Sequence, residues 1–264
     1  MGSLLGIEWL KLRHYRTFWI MTLLFAVPLL LFYSSISLNL INIGAGGISL
    51  LGKATSFRQV WDDLCFFASY FIIALSILMA ILVTNEYQFR TNRQHVIDGW
   101  SRMQFYHAKW MVVLSLSAGT TLFTALLGLI TGLIAGVDLG TITEHASKLL
   151  YLFLLSVNYL GFSLLLSVLF KRGGLTIGIL MFYSLIVEVI IHSVLTYRYK
   201  APAGNLFLPL QSSDELLPFG ASKVLEMAMQ VRYVPEAWTY VLASVCWIAV
   251  YYLVGRKRLE KSDW

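Results

Sequence analysis

The chain is short of charge: of its 264 residues only 13% are Asp, Glu, Lys or Arg, while 58% are apolar. A soluble domain carries roughly 25% charged and 45–50% apolar residues, so an ordinary water-soluble enzyme and a disordered chain are both excluded. Cysteine is scarce too, at two residues, which rules out a disulfide scaffold of the small secreted kind. Cys65 and Cys246 are expected at depths differing by roughly 13 Å at 1.5 Å per helical residue. A bridge tolerates a Cα separation of only ~7 Å, so both read as inert apolar side chains. Proline numbers five, and four of them (Pro202, Pro209, Pro218, Pro235) fall within Tyr197–Glu236. Apart from Pro28, the rest of the chain therefore lacks this helix breaker. No HExxH, Ser/His/Asp set or Cys/His cluster with metal-ligand spacing occurs, so neither a catalytic set nor a metal site is expected. With a mean hydropathy of +0.72, what remains is a polytopic membrane protein.

Long apolar runs supply the positive signal. Six approach the ~20 residues that ~30 Å of hydrocarbon requires: Thr17–Leu40, Leu64–Thr84, Trp110–Gly136, Leu149–Phe170, Gly174–Thr196 and Ala237–Gly255. Barrel strands would instead alternate over ~10 residues, so the expected fold is all-α, one domain with six transmembrane helices. Trp19, Trp61, Trp110 and Trp238 stand near the proposed span ends, where amphipathic rings prefer to sit.

Lys and Arg set the orientation. Thirteen of the twenty lie at the N-terminus (Lys11, Arg13, Arg16), after span 2 (Arg90, Arg93, Arg102, Lys109), after span 4 (Lys171, Arg172) and in the tail (Arg256, Lys257, Arg258, Lys261). By the positive-inside rule both termini are expected in the cytoplasm. The net charge of +6 is then a matter of topology and of anionic lipid at the inner surface, and no nucleic-acid partner is needed. Residues 1–16 are expected to lie in the interface and to orient span 1, which is too long for a cleavable signal.

No segment between the spans is large enough for an independent globular domain, so any energy-coupling domain must be another chain. Gly47–Lys53 reads GxxxxGK, but Ala54 stands where a phosphate-binding loop needs Ser or Thr for Mg²⁺, and a membrane helix is expected before it. The match is coincidental. In the N-terminal helix Leu5, Trp9 and Leu12 form an apolar stripe, with Glu8, Lys11 and Tyr15 on an adjacent polar one. After span 2, Thr91–Gln94 is a capping-box pattern, Gly99 can end a helix, and Ser101–Gln104 repeats the start signal. These residues encode a short helix over Asn92–Asp98 and then a fresh helix into span 3. The short helix has little core of its own, which suits contact with another protein. In Tyr197–Glu236 the prolines separate apolar pieces such as Leu206–Leu210, as expected of a broken, re-entrant cap at the outer surface.

In this layout the N-terminal Glu8-Trp-Leu-Lys11, the six spans, and Asn85–Gln94 leading through Asp98-Gly-Trp-Ser-Arg102 to Lys109 resemble the ABC-2 type permeases. Those are membrane subunits of bacterial ABC transporters, mostly exporters. The resemblance implies that Ser3–Arg16 matches their connecting helix, Asn92–Asp98 the coupling helix that docks on the ATPase, and Tyr197–Glu236 their broken outer segment. It implies a multi-pass protein of the bacterial inner membrane, working with cytoplasmic ATPase subunits and a second permease copy or homologue. ATP and Mg²⁺ would be bound by the partner, with no cofactor in this chain. Glu8, Lys11, Arg90, Arg93, Gln94, His95, Asp98, Trp100 and Arg102 are the expected ATPase-coupling residues.

Glu188 is the one charge placed inside a span, where an ionisable group costs about 2.5–3.5 kcal/mol unless paired or wetted. His192 follows at i+4 on the same face, and Asn158 of span 4 is expected at a similar depth. An Asn158–Glu188 hydrogen bond across the 4–5 hairpin, completed by His192, would be a structural pin or part of a substrate pathway. Two rival classes use the same residues differently: an intramembrane hydrolase built on Glu188 and His192, and a nucleotide-independent channel or scaffold. Gly128, Gly132 and Gly136 in span 3 form a small-residue stripe suited to close helix packing within one subunit.

Overall fold

Each long apolar run closes into a helix, and most outlast the run itself. The computed structural model describes residues 2–38, 40, 43–45, 48–51, 54–91, 99, 101–218 and 235–261. Its six helices long and apolar enough to cross a membrane are Arg16–Ser37, Phe57–Gln88, Arg102–Ile134, Ser147–Phe170, Gly173–Arg198 and Ala237–Glu260. Spans 2 and 3 gain most over the sequence reading, because their polar ends find partners instead of breaking the helix. At the start of span 2, Asp62 meets the His145 ring nitrogen at 2.9 Å, and Trp61 donates its indole N–H to Ile142 O at 2.9 Å. At the start of span 3 the expected capping box forms, with Ser101 Oγ accepting from Gln104 N (3.1 Å) and Gln104 Oε1 from Ser101 N (2.8 Å). Gly99 has the left-handed φ of +91° that suits a helix end. The short helix expected over 92–98 lies outside the described residues.

One departure from an all-helical chain is small. Ile43–Ala45 and Ile48–Leu51 pair as an antiparallel two-stranded hairpin between spans 1 and 2. The strand Ile43–Ala45 thus precedes the glycine-rich motif, where a membrane helix was expected, and Ile48–Leu51 lies within it. Ala54 still offers no hydroxyl for a metal.

Span 4 is the hub of the bundle. Of its apolar window 78% is buried, against 17–50% in the other five spans; the others turn large apolar side chains such as Leu31, Leu122, Ile190 and Leu253 outward, as helices facing lipid do. The small-residue stripe serves packing inside the chain. A Cβ on Gly128 would enter the Trp61 ring, and one on Gly132 the Phe57 ring, so span 3 can approach span 2 only because both are glycine. Gly136, with φ +75°, lies past the end of the span 3 helix. Both cysteines are free thiols, Cys65 buried and Cys246 exposed.

Span 5 is helical throughout but irregular. Two π-helical turns, Tyr183–Val187 and Val194–Arg198, flank the regular stretch Glu188–Ser193. Such turns commonly mark functional positions, and here they bracket both ionisable residues of the candidate patch.

Candidate functional site

At the end of the bundle that carries both termini, four charges from three elements close into one network. Lys109 Nζ donates to Glu8 Oε2 (2.6 Å) and Glu86 Oε1 (2.8 Å), while Lys11 Nζ donates to Glu8 Oε1 (3.0 Å) and Glu86 Oε1 (3.2 Å). Glu86 closes span 2 and Lys109 lies in the first turns of span 3, so they are the two stems of the 89–101 loop. Glu8 and Lys11 come from the N-terminal helix Gly2–His14. Asn85 adds a bond from its amide to Tyr15 Oη at 2.7 Å. The Lys109 side chain is only 3% exposed, so its charge depends on both carboxylates. Burial alone would raise the Glu8 carboxyl, but Lys109 and Lys11 together hold it below the usual range.

This arrangement inverts the sequence reading of the N-terminal helix. The stripe of Glu8, Lys11 and Tyr15 faces the bundle beside the buried Leu12, and Ile7, Trp9 and Leu10 are turned outward. The polar side chains go inward because countercharges await them there, and the exposed apolar ones suit a lipid surface. Glu8, expected to contact a partner, is buried inside the chain. Arg102 donates to Glu260 O at 3.2 Å, tying span 3 to the end of span 6. Arg90 is exposed, with φ +56° in the turn that ends span 2. Arg93, Gln94, His95, Asp98 and Trp100 lie outside the described residues.

At the opposite end, residues 202–217 fold back against spans 4, 5 and 6. Glu188 accepts backbone N–H bonds from Leu210 (2.9 Å) and Gln211 (3.2 Å), at the start of the short helix Gln211–Asp214. Helix N-termini favour a carboxylate, so this charge is met by the outer segment. Asn158 does not bond Glu188, as the sequence reading had it. Its amide donates to Pro209 O (2.8 Å) and Ser213 Oγ (3.0 Å). The two residues thus grip the same segment from neighbouring spans. His192 Nδ1 lies 3.1 Å from Glu215 Oε1, at ion-pair distance but without hydrogen-bond alignment. Asn205 Nδ2 donates to the same oxygen at 2.8 Å. Glu188 and His192 therefore address different partners, which leaves a two-residue hydrolase without its pair.

Sequence reasoning missed Tyr159, Asp214 and Glu215. Tyr159 donates to Asp214 Oδ2 at 2.8 Å. Burial pushes the Asp214 carboxyl up to about 8; the Tyr159 bond opposes the rise, and the nearby Glu188 and Glu215 charges add to it. The available signal was Gln211-Ser-Ser-Asp-Glu215, a polar run between apolar proline-bounded pieces. Beside this network a cavity of about 390 Å³ opens between spans 2, 4 and 5, with Tyr70, Tyr159, Tyr197, His192, Asp214 and Glu215 among its walls.

A family model described as "ABC-2 family transporter protein" matches residues 4–187 of the chain. That stretch takes in the N-terminal helix, the ion network and spans 1 to 4, and ends at the residue before Glu188. No curated protein matches the chain.

Proposed function

Because the chain belongs to the ABC-2 transporter family and is a multi-pass permease component of an ABC transporter, we propose that it couples a separate cytoplasmic ATPase to the export of a substrate. On this reading both termini and the 89–101 loop face the cytoplasm of a bacterial cell. The permease works with a second permease copy or homologue, and ATP and Mg²⁺ bind the ATPase rather than this chain.

The observation that supports the coupling role is the Glu8–Lys11–Glu86–Lys109 network. A force applied to the loop between Glu86 and Lys109 acts on both stems. The network passes it to the N-terminal helix, so loop, spans 2 and 3 and that helix move together. Glu8 and Lys11 thus act through the network, while Arg90, Arg93, Gln94, His95, Asp98, Trp100 and Arg102 offer the surface for the ATPase. At the other end, Asn158, Glu188 and His192 anchor an outer segment that would shift as the spans move, and so they border the substrate pathway.

Gentle detergent extraction of the tagged chain from its own cells tests this. A stoichiometric ATPase subunit is expected to co-purify, and to be lost when residues 92–98 are replaced by a Gly/Ser linker of equal length. The purified chain alone should hydrolyse no ATP. Absence of an ATPase from the wild-type preparation, or turnover by the isolated chain, would overturn the assignment.

A further inference from the structure

The cavity beneath the outer segment combines three features that together specify a ligand. Its volume of about 390 Å³ falls in the range of small-molecule sites, roughly 300–1,000 Å³. Its walls include three tyrosines, Tyr70 from span 2, Tyr159 from span 4 and Tyr197 from span 5, and are apolar where Ile73, Leu185 and Val189 contribute. Its polar side carries two carboxylates, Asp214 and Glu215, and among the described residues lining it His192 is the one basic group. The hydrogen bonds to these carboxylates fall on Asp214 Oδ2 and Glu215 Oε1. Among the described residues Asp214 Oδ1 and Glu215 Oε2 receive none.

Aromatic faces attract cations, and carboxylate oxygens without donors accept charge-assisted bonds from them. An anion would meet carboxylate oxygens and, among the described lining residues, no basic partner other than His192. A zwitterionic lipid headgroup would bring its phosphate against the Glu215 carboxylate. We infer that this cavity binds an organic cation with an apolar body, the positive centre lying between the Asp214–Glu215 carboxylates and the tyrosine rings. This deepens the transport reading by naming a substrate class, and it rests on that reading only for the step after binding.

The groups facing Asp214 are Tyr70 of span 2, Tyr159 of span 4, Glu188 and His192 of span 5, and its neighbour Glu215. With its carboxyl pushed up to about 8 by burial, Asp214 favours its protonated form at neutral pH without ligand. A bound cation would favour the ionised form, so binding releases a proton and tightens as pH rises through that value.

The test titrates tetraphenylphosphonium, whose charge does not change with pH, into the purified full-length chain in an uncharged maltoside detergent. Neutral triphenylphosphine oxide serves as the shape control. Saturable binding is expected, about tenfold or more weaker for the neutral probe and for Glu215→Gln, the order of one lost charge-assisted contact. Tyr70→Leu, at an exposed position that perturbs folding little, should weaken the cation by a few-fold. Asp214→Asn should flatten the pH dependence between pH 6 and 9. Equal binding of the two probes, or unchanged affinity in Glu215→Gln and Tyr70→Leu, would overturn the proposal. Since binding is read on the chain alone, a failed ATPase co-purification with intact cation binding would count against the coupling role and leave the site standing.

Discussion

Lys109 shows how one residue can be both well placed and costly to change. Its ammonium is removed from water and held by two carboxylates that are themselves largely buried. Replacing it with Ala leaves Glu8 and Glu86 facing Lys11 alone, which is expected to destabilise the protein by about 3–5 kcal/mol. Pairing Lys109→Met with Glu8→Gln should recover much of that loss, as read by thermal unfolding in detergent; additive losses would show that the charges do not act as a unit. The pH response follows from the lowered Glu8 carboxyl. Its stabilising share is complete above the ordinary Glu value and is lost as pH falls through the lower folded one. Amide exchange in residues 2–14 should therefore accelerate selectively on acidification. Asp214 has the opposite sign, because its folded value is raised to about 8. It contributes fully below the ordinary Asp value, and that share is lost as pH climbs through about 8. Asp214→Asn should consequently flatten the decline in melting temperature between pH 5 and 8.5, whereas an unchanged slope would refute a buried, protonated Asp214.

At the level of elements, the seat of the outer segment is the most informative packing in the molecule. Residues 202–217 hold their place through polar contacts from three spans: Asn158 and Tyr159 from span 4, Glu188 from span 5, and Ser244 of span 6 on Ser212 at 3.3 Å. Lys148 at the start of span 4 also donates to Leu216 O at 2.7 Å. The Glu188 contacts satisfy the Leu210 and Gln211 amides, which have no other partner among the described residues. Glu188→Leu should leave the amides of Leu210 and Gln211 unsatisfied, at a cost of about 1–3 kcal/mol each. Faster exchange at residues 208–215, with spans 1 to 3 unaffected, is the signature to look for. Where Gly132 of span 3 meets Phe57 of span 2 the contact is of another kind, resting on shape. Gly132→Val should push the Phe57 ring aside and cost about 1–3 kcal/mol by overpacking, measurable as a lower melting temperature. A neutral effect there would mean that the two helices slide freely.

Taken whole, the molecule has its charge at two ends and a nearly uncharged middle, with span 4 the most buried helix. The ion network ties three elements at the terminal-bearing end, and the outer segment is tied at the other. Motion delivered to the 89–101 loop would therefore be felt as a displacement of helices against span 4 rather than a local adjustment. The family match covers residues 4–187. It takes in the four residues of the ion network and stops short of Glu188, His192 and the outer segment. Substrate choice is expected to reside in that remainder. Exchanging residues 188–236 for those of another family member should change which compounds stimulate the complex while keeping ATPase binding; unaltered selectivity would place the choice in the first four spans.

The sequence alone determined the spans, their all-helical character and the capped start of span 3, because apolar run length and side-chain capping are local properties of the chain. It also singled out Glu188 as a buried charge in need of a partner. The partners themselves were decided only by tertiary structure. Glu8 and Lys109 are 101 residues apart in sequence, and the Leu210 amide that meets Glu188 has no sequence signature at all. Periodicity indicates which helix face is polar but not which way it turns. Glu8, Lys11 and Tyr15 look inward because burial beside opposite charges and hydrogen-bonding groups suits them there, while the apolar residues beside them are left to lipid.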